Sequence, residues 1–346
     1  MHRHSAIWVT EDGELSIQQI DTLTASSLSE KQYLVEVSYS GVNPADQKHA
    51  QVLKLGNRVA GYDAAGYIVA SGPGGYLEPG TRVAVLSKTG LTENAERYGS
   101  HQKFLIAEEA GCFPLPDEVP MHVAATVPVV VATAADCLFS LLRLRPSFCD
   151  ENRVPLLIWG GSSAVGNAAI QLAREAGVWP IIVTASSQHH AELMQRGATV
   201  CIDYKDNEVL EKIKASVQRL ATGSPLRHAI DTTGYNVGEL QSLCRSEVSP
   251  ALACTVGGAH NIPKPFAAVI YGYDISLGKG ITIPARPNDA PVVRAKVTWA
   301  LDHLGVEFQQ VPVTVVKGLV EAQECILRSA GGKVSFKKYA VDLSVN

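Results

Sequence analysis

Apolar and polar positions follow two different rhythms along the chain. From residue 5 to about 115, short stretches alternate with period two, as in Tyr33-Leu34-Val35-Glu36-Val37-Ser38-Tyr39. They are separated by turn-forming runs such as Gly72-Pro73-Gly74-Gly75 and Glu78-Pro79-Gly80. That alternation puts one face of each strand on a core, so the region is predicted to be β-rich. From 118 to about 143 the spacing is helical, and 146–153 reads as a polar connector. A strand–helix rhythm follows. Strands are predicted at 156–159, 181–183, 200–202, 229–230 and 252–256, with helices at 165–176, 192–196 and 209–221. Apolar strands that alternate with helices predict a doubly wound parallel sheet in an α/β domain. After a Gly- and Pro-rich segment from 257 to 291, a helix is predicted at about 292–305. Strand character returns at 311–315 and 339–343. The tail resembles the first region and is expected to rejoin it. The predicted organisation is 1–120, an inserted domain at 121–285, and 286–346.

Composition narrows the possibilities. The 346 residues are 46% apolar and 18% charged, with a formal net charge of -4 and no basic block, which argues against a nucleic-acid partner. The longest strongly apolar run, 127–135, is too short to span a bilayer. The seven cysteines are scattered and odd in number, which fits a reducing, cytoplasmic setting rather than a disulfide framework. No neighbouring Cys or His residues have metal-ligand spacing, so no metal is expected.

The sharpest motif is Gly160-Gly161-Ser162-Ser163-Ala164-Val165-Gly166. It follows an apolar strand and opens an amphipathic helix, the setting a dinucleotide fingerprint requires. Small residues let the backbone approach a pyrophosphate, and the helix start offers free N–H groups. The next strand runs into Ser186-Ser187-Gln188-His189-His190 without the carboxylate that binds ribose hydroxyls in NAD sites. Hydroxyls and imidazoles there point to NADPH.

Taken with Gly41-Val42-Asn43-Pro44-Ala45-Asp46-Gln47-Lys48, Pro79-Gly80-Thr81-Arg82-Val83, Ile202-Asp203-Tyr204-Lys205-Asp206 and Gly332-Lys333-Val334-Ser335, this motif resembles the medium-chain dehydrogenase/reductase superfamily. The chain is most similar to the zinc-free quinone oxidoreductase and enoyl reductase branch, in particular fungal trans-acting polyketide enoyl reductases of the lovastatin enoyl reductase type. The resemblance implies a Rossmann doubly wound sheet inserted into a GroES-like β-domain. Zinc-dependent relatives carry a Cys near the position of Asn43 and a His-Glu pair after that of Gly61. Here Asn43 and Tyr62-Asp63 stand in those places.

The resemblance also implies roles for individual residues. Ser163, Ala164, Val165 and Gly166 would face the pyrophosphate. Ser186, Ser187, Gln188, His189 and Tyr204 would surround the adenosine and its phosphate. Asp46, Lys48, Thr133, Val256, Gly257, Val334 and Ser335 would enclose the nicotinamide. Relatives often carry Lys at the position of Met194; His189, His190 or Arg196 are expected to replace it. Relatives also often carry Tyr at the position of Ala135, so the smaller residue implies a wider substrate pocket, with Tyr271 and Tyr273 lining it. Lys48 and Thr133 are the expected catalytic pair, and the adjacent His49 is a candidate proton donor.

The implied reaction is NADPH-dependent reduction of an α,β-unsaturated C=C bond in a polyketide-type chain. The expected substrate is a small molecule or is tethered to the carrier protein of a megasynthase, and the expected enzyme is a monomer or homodimer. A stand-alone quinone or enone reductase fits the same residues. So does a reductase-fold cyclase that steers a non-redox rearrangement.

Overall fold

The computed structural model describes residues 3–88, 97–144, 154–221, 223–244, 251–255, 262–276 and 282–344. The chain divides into two compact units, one formed by Met1–Val129 with Ala268–Asn346 and the other by Val130–Ala267. The tail does rejoin the first region. The first boundary falls later than expected because helix Met121–Ala124 packs on the sheet of the first unit and the Val129 N–H donates to Asp63 Oδ1 (2.8 Å). The second falls earlier because Tyr271 donates its hydroxyl to the Leu86 carbonyl (2.6 Å), fixing this segment to the first unit.

The first unit is built on a sheet ordered Val313–Lys317, Lys338–Asp342, Gln32–Gly41, Asp63–Ser71, Arg82–Leu86, Cys112–Pro114, with Phe104–Glu108 also pairing on Gln32–Gly41. The tail strand Lys338–Asp342 runs antiparallel to Gln32–Gly41, with Ala340 opposite Gly41. A smaller sheet joins Leu15–Asp21, Arg3–Val9 and Arg58–Val59. The inward positions of the strands, among them Val35, Val37, Ala64, Val83, Val85 and Val341, form one core with Ala322 and Ile326 of helix Leu319–Ala330. Two helices depart from the strand-and-turn expectation: Leu319–Ala330 and Ala45–Leu53.

Among the described residues, the second unit holds a five-stranded, all-parallel sheet. Its order is Val200–Ile202, Ile181–Thr184, Leu156–Trp159, His228–Asp231, Ala251–Cys254. The order reverses between Leu156–Trp159 and His228–Asp231, which creates the crevice where open α/β sheets take ligands. Helices Ala164–Glu175, His190–Gln195, Val209–Leu220 and Val237–Leu243 connect the strands. Leu157, Ile182, Ala229 and Leu252 are buried in their central core.

Candidate active site

In the second unit, the loop after Trp159 leaves the sheet at the reversal point. Gly160 adopts φ +89°, a left-handed conformation, and its N–H and that of Gly161 donate to the Thr184 carbonyl (3.1 and 2.9 Å). Ser163 caps helix Ala164–Glu175 by accepting the Gly166 N–H at Oγ (2.9 Å). The same hydroxyl donates to Thr232 Oγ1 (2.9 Å), which donates to the carbonyls of Trp159 and Gly160. A Cβ on Gly166 would collide with the Gly160 carbonyl oxygen, so the close turn requires glycine there. Among the described residues, the N–H groups of Ala164 and Val165 have no acceptor. Two free amides at the start of a twelve-residue helix, in the reversal crevice, fit a dinucleotide pyrophosphate.

The next two strands end beside that loop. The Ser187 N–H donates to Asp203 Oδ2 (3.2 Å) and the Lys205 N–H to Asp203 Oδ1 (2.9 Å). These bonds, led by that from Lys205, hold the Asp203 carboxyl below its usual range. A carboxylate therefore does reach the 186–189 loop, from a strand later than the expected position. Both its oxygens bind backbone amides; Ser187 and Gln188 are exposed, and Ser186 and His189 partly buried. His189 is partly buried and contacts Gln188 (3.1 Å). Tyr204 is exposed, with the Lys205 ammonium 5.8 Å from its ring centre.

Two expected replacements for the missing lysine are committed elsewhere. Arg196 is buried, donating to Asn167 Oδ1 (2.7 Å) and pairing with Glu192 (2.5 Å). The His190 ring binds the Ala185 carbonyl (2.9 Å). Thr133 lies on helix Pro128–Ala135, partly buried, and its hydroxyl makes no hydrogen bond among the described residues. Ala135 is fully buried. Val256 and Gly257 lie outside the described residues.

In the first unit, helix Ala45–Leu53 starts from Pro44 and ends at Lys54, which takes a left-handed conformation. Asp46 in its first turn is fully buried and reaches back to accept the Asn43 N–H at Oδ2 (2.8 Å). His101 Nε2 meets the same oxygen (3.1 Å), and its Nδ1 meets Ser40 Oγ (2.7 Å). Among the described residues Asp46 Oδ1 has no partner. Asn43 donates through Nδ2 to Asp63 Oδ2 (2.8 Å) and accepts at Oδ1 from the buried Lys338 ammonium (2.6 Å). Lys338 also donates to the Val42 carbonyl (2.7 Å). Burial pushes Asp63 up to about 6 against the pull of Lys338, and pushes Lys338 down.

Lys338 went unnoticed in the sequence, although it starts a strand whose partner precedes Asn43. Its ammonium fills the space around the Asn43 and Asp63 donors, so this set does not suit a divalent metal. Among the described residues no three His, Cys, Asp or Glu side chains are placed to hold one.

Lys48 and His49 are partly buried on this helix. The Lys48 ammonium has no hydrogen-bond or ion-pair partner among the described residues. Val334 is partly buried and Ser335 exposed, in the turn that leads to Lys338. Tyr271 is buried and donates its hydroxyl to the Leu86 carbonyl. Tyr273 is 39% exposed and donates to Glu108 (2.7 Å).

Residues 29–117 match the alcohol dehydrogenase GroES-like domain, and 164–258 match the zinc-binding dehydrogenase family. The trans-enoyl reductase himH of Aspergillus japonicus is 30% identical over 85% of this chain and 88% of its own length. The chain belongs to the trans-enoyl reductases of the medium-chain dehydrogenase/reductase superfamily. The trans-enoyl reductase tazE of Aspergillus terreus is 31% identical over 54% of this chain, and the match spans 64% of that relative's length. Among solved structures, crotonyl-CoA carboxylase/reductase AntE in complex with NADP shares the fold, with a TM-score of 0.70 and 18% identity over 98% of this chain and 94% of AntE.

Proposed function

We propose that this chain is an NADPH-dependent enoyl reductase acting in trans on an α,β-unsaturated acyl chain of polyketide type. The observation that carries this is the Ser163-capped loop with its two free amides at the sheet's reversal point. Membership among trans-enoyl reductases supplies the reaction class, and the NADP of the AntE structure supports the choice of cofactor. When bound, the reduced nicotinamide supplies a hydride to the β-carbon of the substrate. The chain's own groups position and stabilise. The uncommitted Lys48 ammonium donates to the thioester carbonyl as negative charge develops there. The Thr133 hydroxyl, equally uncommitted, orients the nicotinamide side.

The test is anaerobic titration with NADPH and with NADH, followed by loss of reduced-nicotinamide absorbance with enoyl thioesters offered free and on a carrier protein. Tight binding of NADPH and its oxidation by an enoyl thioester are expected, fastest on the carrier. Failure to bind either cofactor would overturn the reading. Product formation without oxidation of NADPH would favour a cyclase.

A further inference from the structure

Arg58 is fully buried on the short strand Arg58–Val59. A guanidinium stays charged when buried, so it needs a partner with negative character. Its hydrogen bonds go instead to neutral oxygens: Nε to the Leu55 carbonyl and Nη2 to the Tyr62 hydroxyl (2.9 Å). Its carbon lies 5.2 Å from the centre of the Tyr62 ring, and among the described residues Nη1 has no partner.

Arg58 can only donate, so the Tyr62 oxygen accepts from it. Among the described residues, the acceptor in reach of the hydroxyl proton is His49 Nδ1 at 2.7 Å. That places the imidazole proton on Nε2, which makes no hydrogen bond among the described residues. The ring is held neutral: burial first, then the charge of Arg58, push it down to about 4, with Asp46 pulling the other way. The order along this line is a neutral N–H at the partly buried end, a hydroxyl between, and a buried cation behind. Burial pushes the Tyr62 hydroxyl up, and the charge and hydrogen bond of Arg58 pull it back down, so the negative charge left behind by a proton leaving at the His49 end comes to rest against Arg58.

We propose that His49, Tyr62 and Arg58 form the chain that delivers the second hydrogen of the reduction. After hydride has reached the β-carbon, the α-carbon of the enolate takes the Nε2 proton of His49. A new C–H bond forms as that N–H bond breaks. Nδ1 takes the Tyr62 hydroxyl proton, and the phenolate is held by Arg58 until water protonates Nε2 and Nδ1 returns its proton to Tyr62. His49 is then a catalytic residue, while Tyr62 and Arg58 act through it. The inference rests on the enoyl-reductase reading and assigns it a proton source.

The experiment compares wild type, His49→Gln and Tyr62→Phe, each with NADPH and an α-methyl enoyl N-acetylcysteamine thioester in deuterated water. Both substitutions are expected to lower kcat by about 10²-fold, the usual contribution of a placed general acid. They are expected to scramble the configuration of the deuterated α-carbon while leaving the Kd for NADPH unchanged. Without substrate, ¹⁵N NMR of wild type is expected to show a neutral His49 with its proton on Nε2, an assignment lost in Tyr62→Phe. Unchanged kcat and α-configuration in His49→Gln would overturn the relay while leaving the reductase reading intact, and so would a His49 protonated on Nδ1. No NADPH oxidation by wild type would overturn both. If Tyr62→Phe fails to fold, His49→Gln and the wild-type NMR decide.

Discussion

Lys338 donates its ammonium to Asn43 Oδ1 across 2.6 Å, joining the tail of the chain to the loop that begins the Asp46–Lys48 helix. Both residues are buried. The same ammonium holds the Val42 carbonyl, and Asn43 in turn holds Asp63. Lys338→Met strips the cation from a site that keeps a carboxylate and two acceptors. Leaving a buried acceptor without its donor in this way costs about 1–3 kcal/mol. A marked fall in melting temperature is expected, with loss of reductase activity because the helix carrying Lys48 loses its anchor. A wild-type melting curve for Lys338→Met would contradict this.

Asp63 gives the first unit a pH signature. Its folded carboxyl is pushed up to about 6 from an ordinary 3.8, chiefly by burial. Between those values the folded state binds the proton that the unfolded chain releases. The contribution to stability is therefore full below the unfolded value and lost as pH rises through 6. It amounts to as much as about 3 kcal/mol at 1.36 kcal/mol per unit. Asp63→Asn removes this titration. The wild-type advantage over Asp63→Asn in urea midpoint is expected to grow as pH falls from 7 to 4.5. An advantage independent of pH would show that Asp63 does not titrate in this range.

The sequence displayed the fold most clearly where burial is two-sided. The short apolar runs at 156–159 and 181–183, alternating with helical stretches, read as interior parallel strands, and they are. Helix Ala45–Leu53 was hidden because only Asp46 and Ala50 are buried in it, so no apolar stripe marks its period. Its signals were local: Pro44 before it and an acid in its first turn. Helix Leu319–Ala330 did show a stripe, at Leu319, Ala322, Cys325, Ile326 and Ala330, which the flanking strands obscured. The pyrophosphate loop was legible because its small residues are contiguous. The buried network was not, since Ser40 with Asn43, Asp63, His101 and Lys338 come from four separate places and only the sheet brings them together.

Ser163 serves the fold and the cofactor at once. Its hydroxyl caps the helix through Gly166 and reaches Thr232 on the neighbouring strand's exit. Ser163→Ala loses the cap, which costs about 1 kcal/mol. It also frees the loop that presents the Ala164 and Val165 amides. A small drop in melting temperature and a clear loss of NADPH affinity are expected by calorimetry. Ser163→Thr keeps the hydroxyl and is expected to retain most of both. Equal cofactor affinity in Ser163→Ala would mean that the loop holds its shape without the cap.

The choice between NADPH and NADH turns on which cation meets the 2′-phosphate. Arg196 is buried in its pairing with Glu192 and Asn167, and the His190 ring is tied to Ala185. His189 stands on the loop itself, and Lys205 follows Tyr204 with its ammonium near that ring. Asp203, whose oxygens accept the Ser187 and Lys205 amides, keeps its negative charge beside the loop, so a cation is needed there to hold a phosphate. Each of His189→Ala and Lys205→Ala is therefore expected to raise the Kd for NADPH about tenfold, equivalent to about 1.4 kcal/mol. The Kd for NADH, which lacks that phosphate, is expected to stay within about twofold. The effect at Lys205 is expected to shrink with added salt, since the side chain is exposed. Equal losses for the two cofactors would assign these residues to the adenosine rather than to its phosphate. An Arg196→Ala variant that lost NADPH selectively would show that the buried guanidinium leaves its pairing when the cofactor binds.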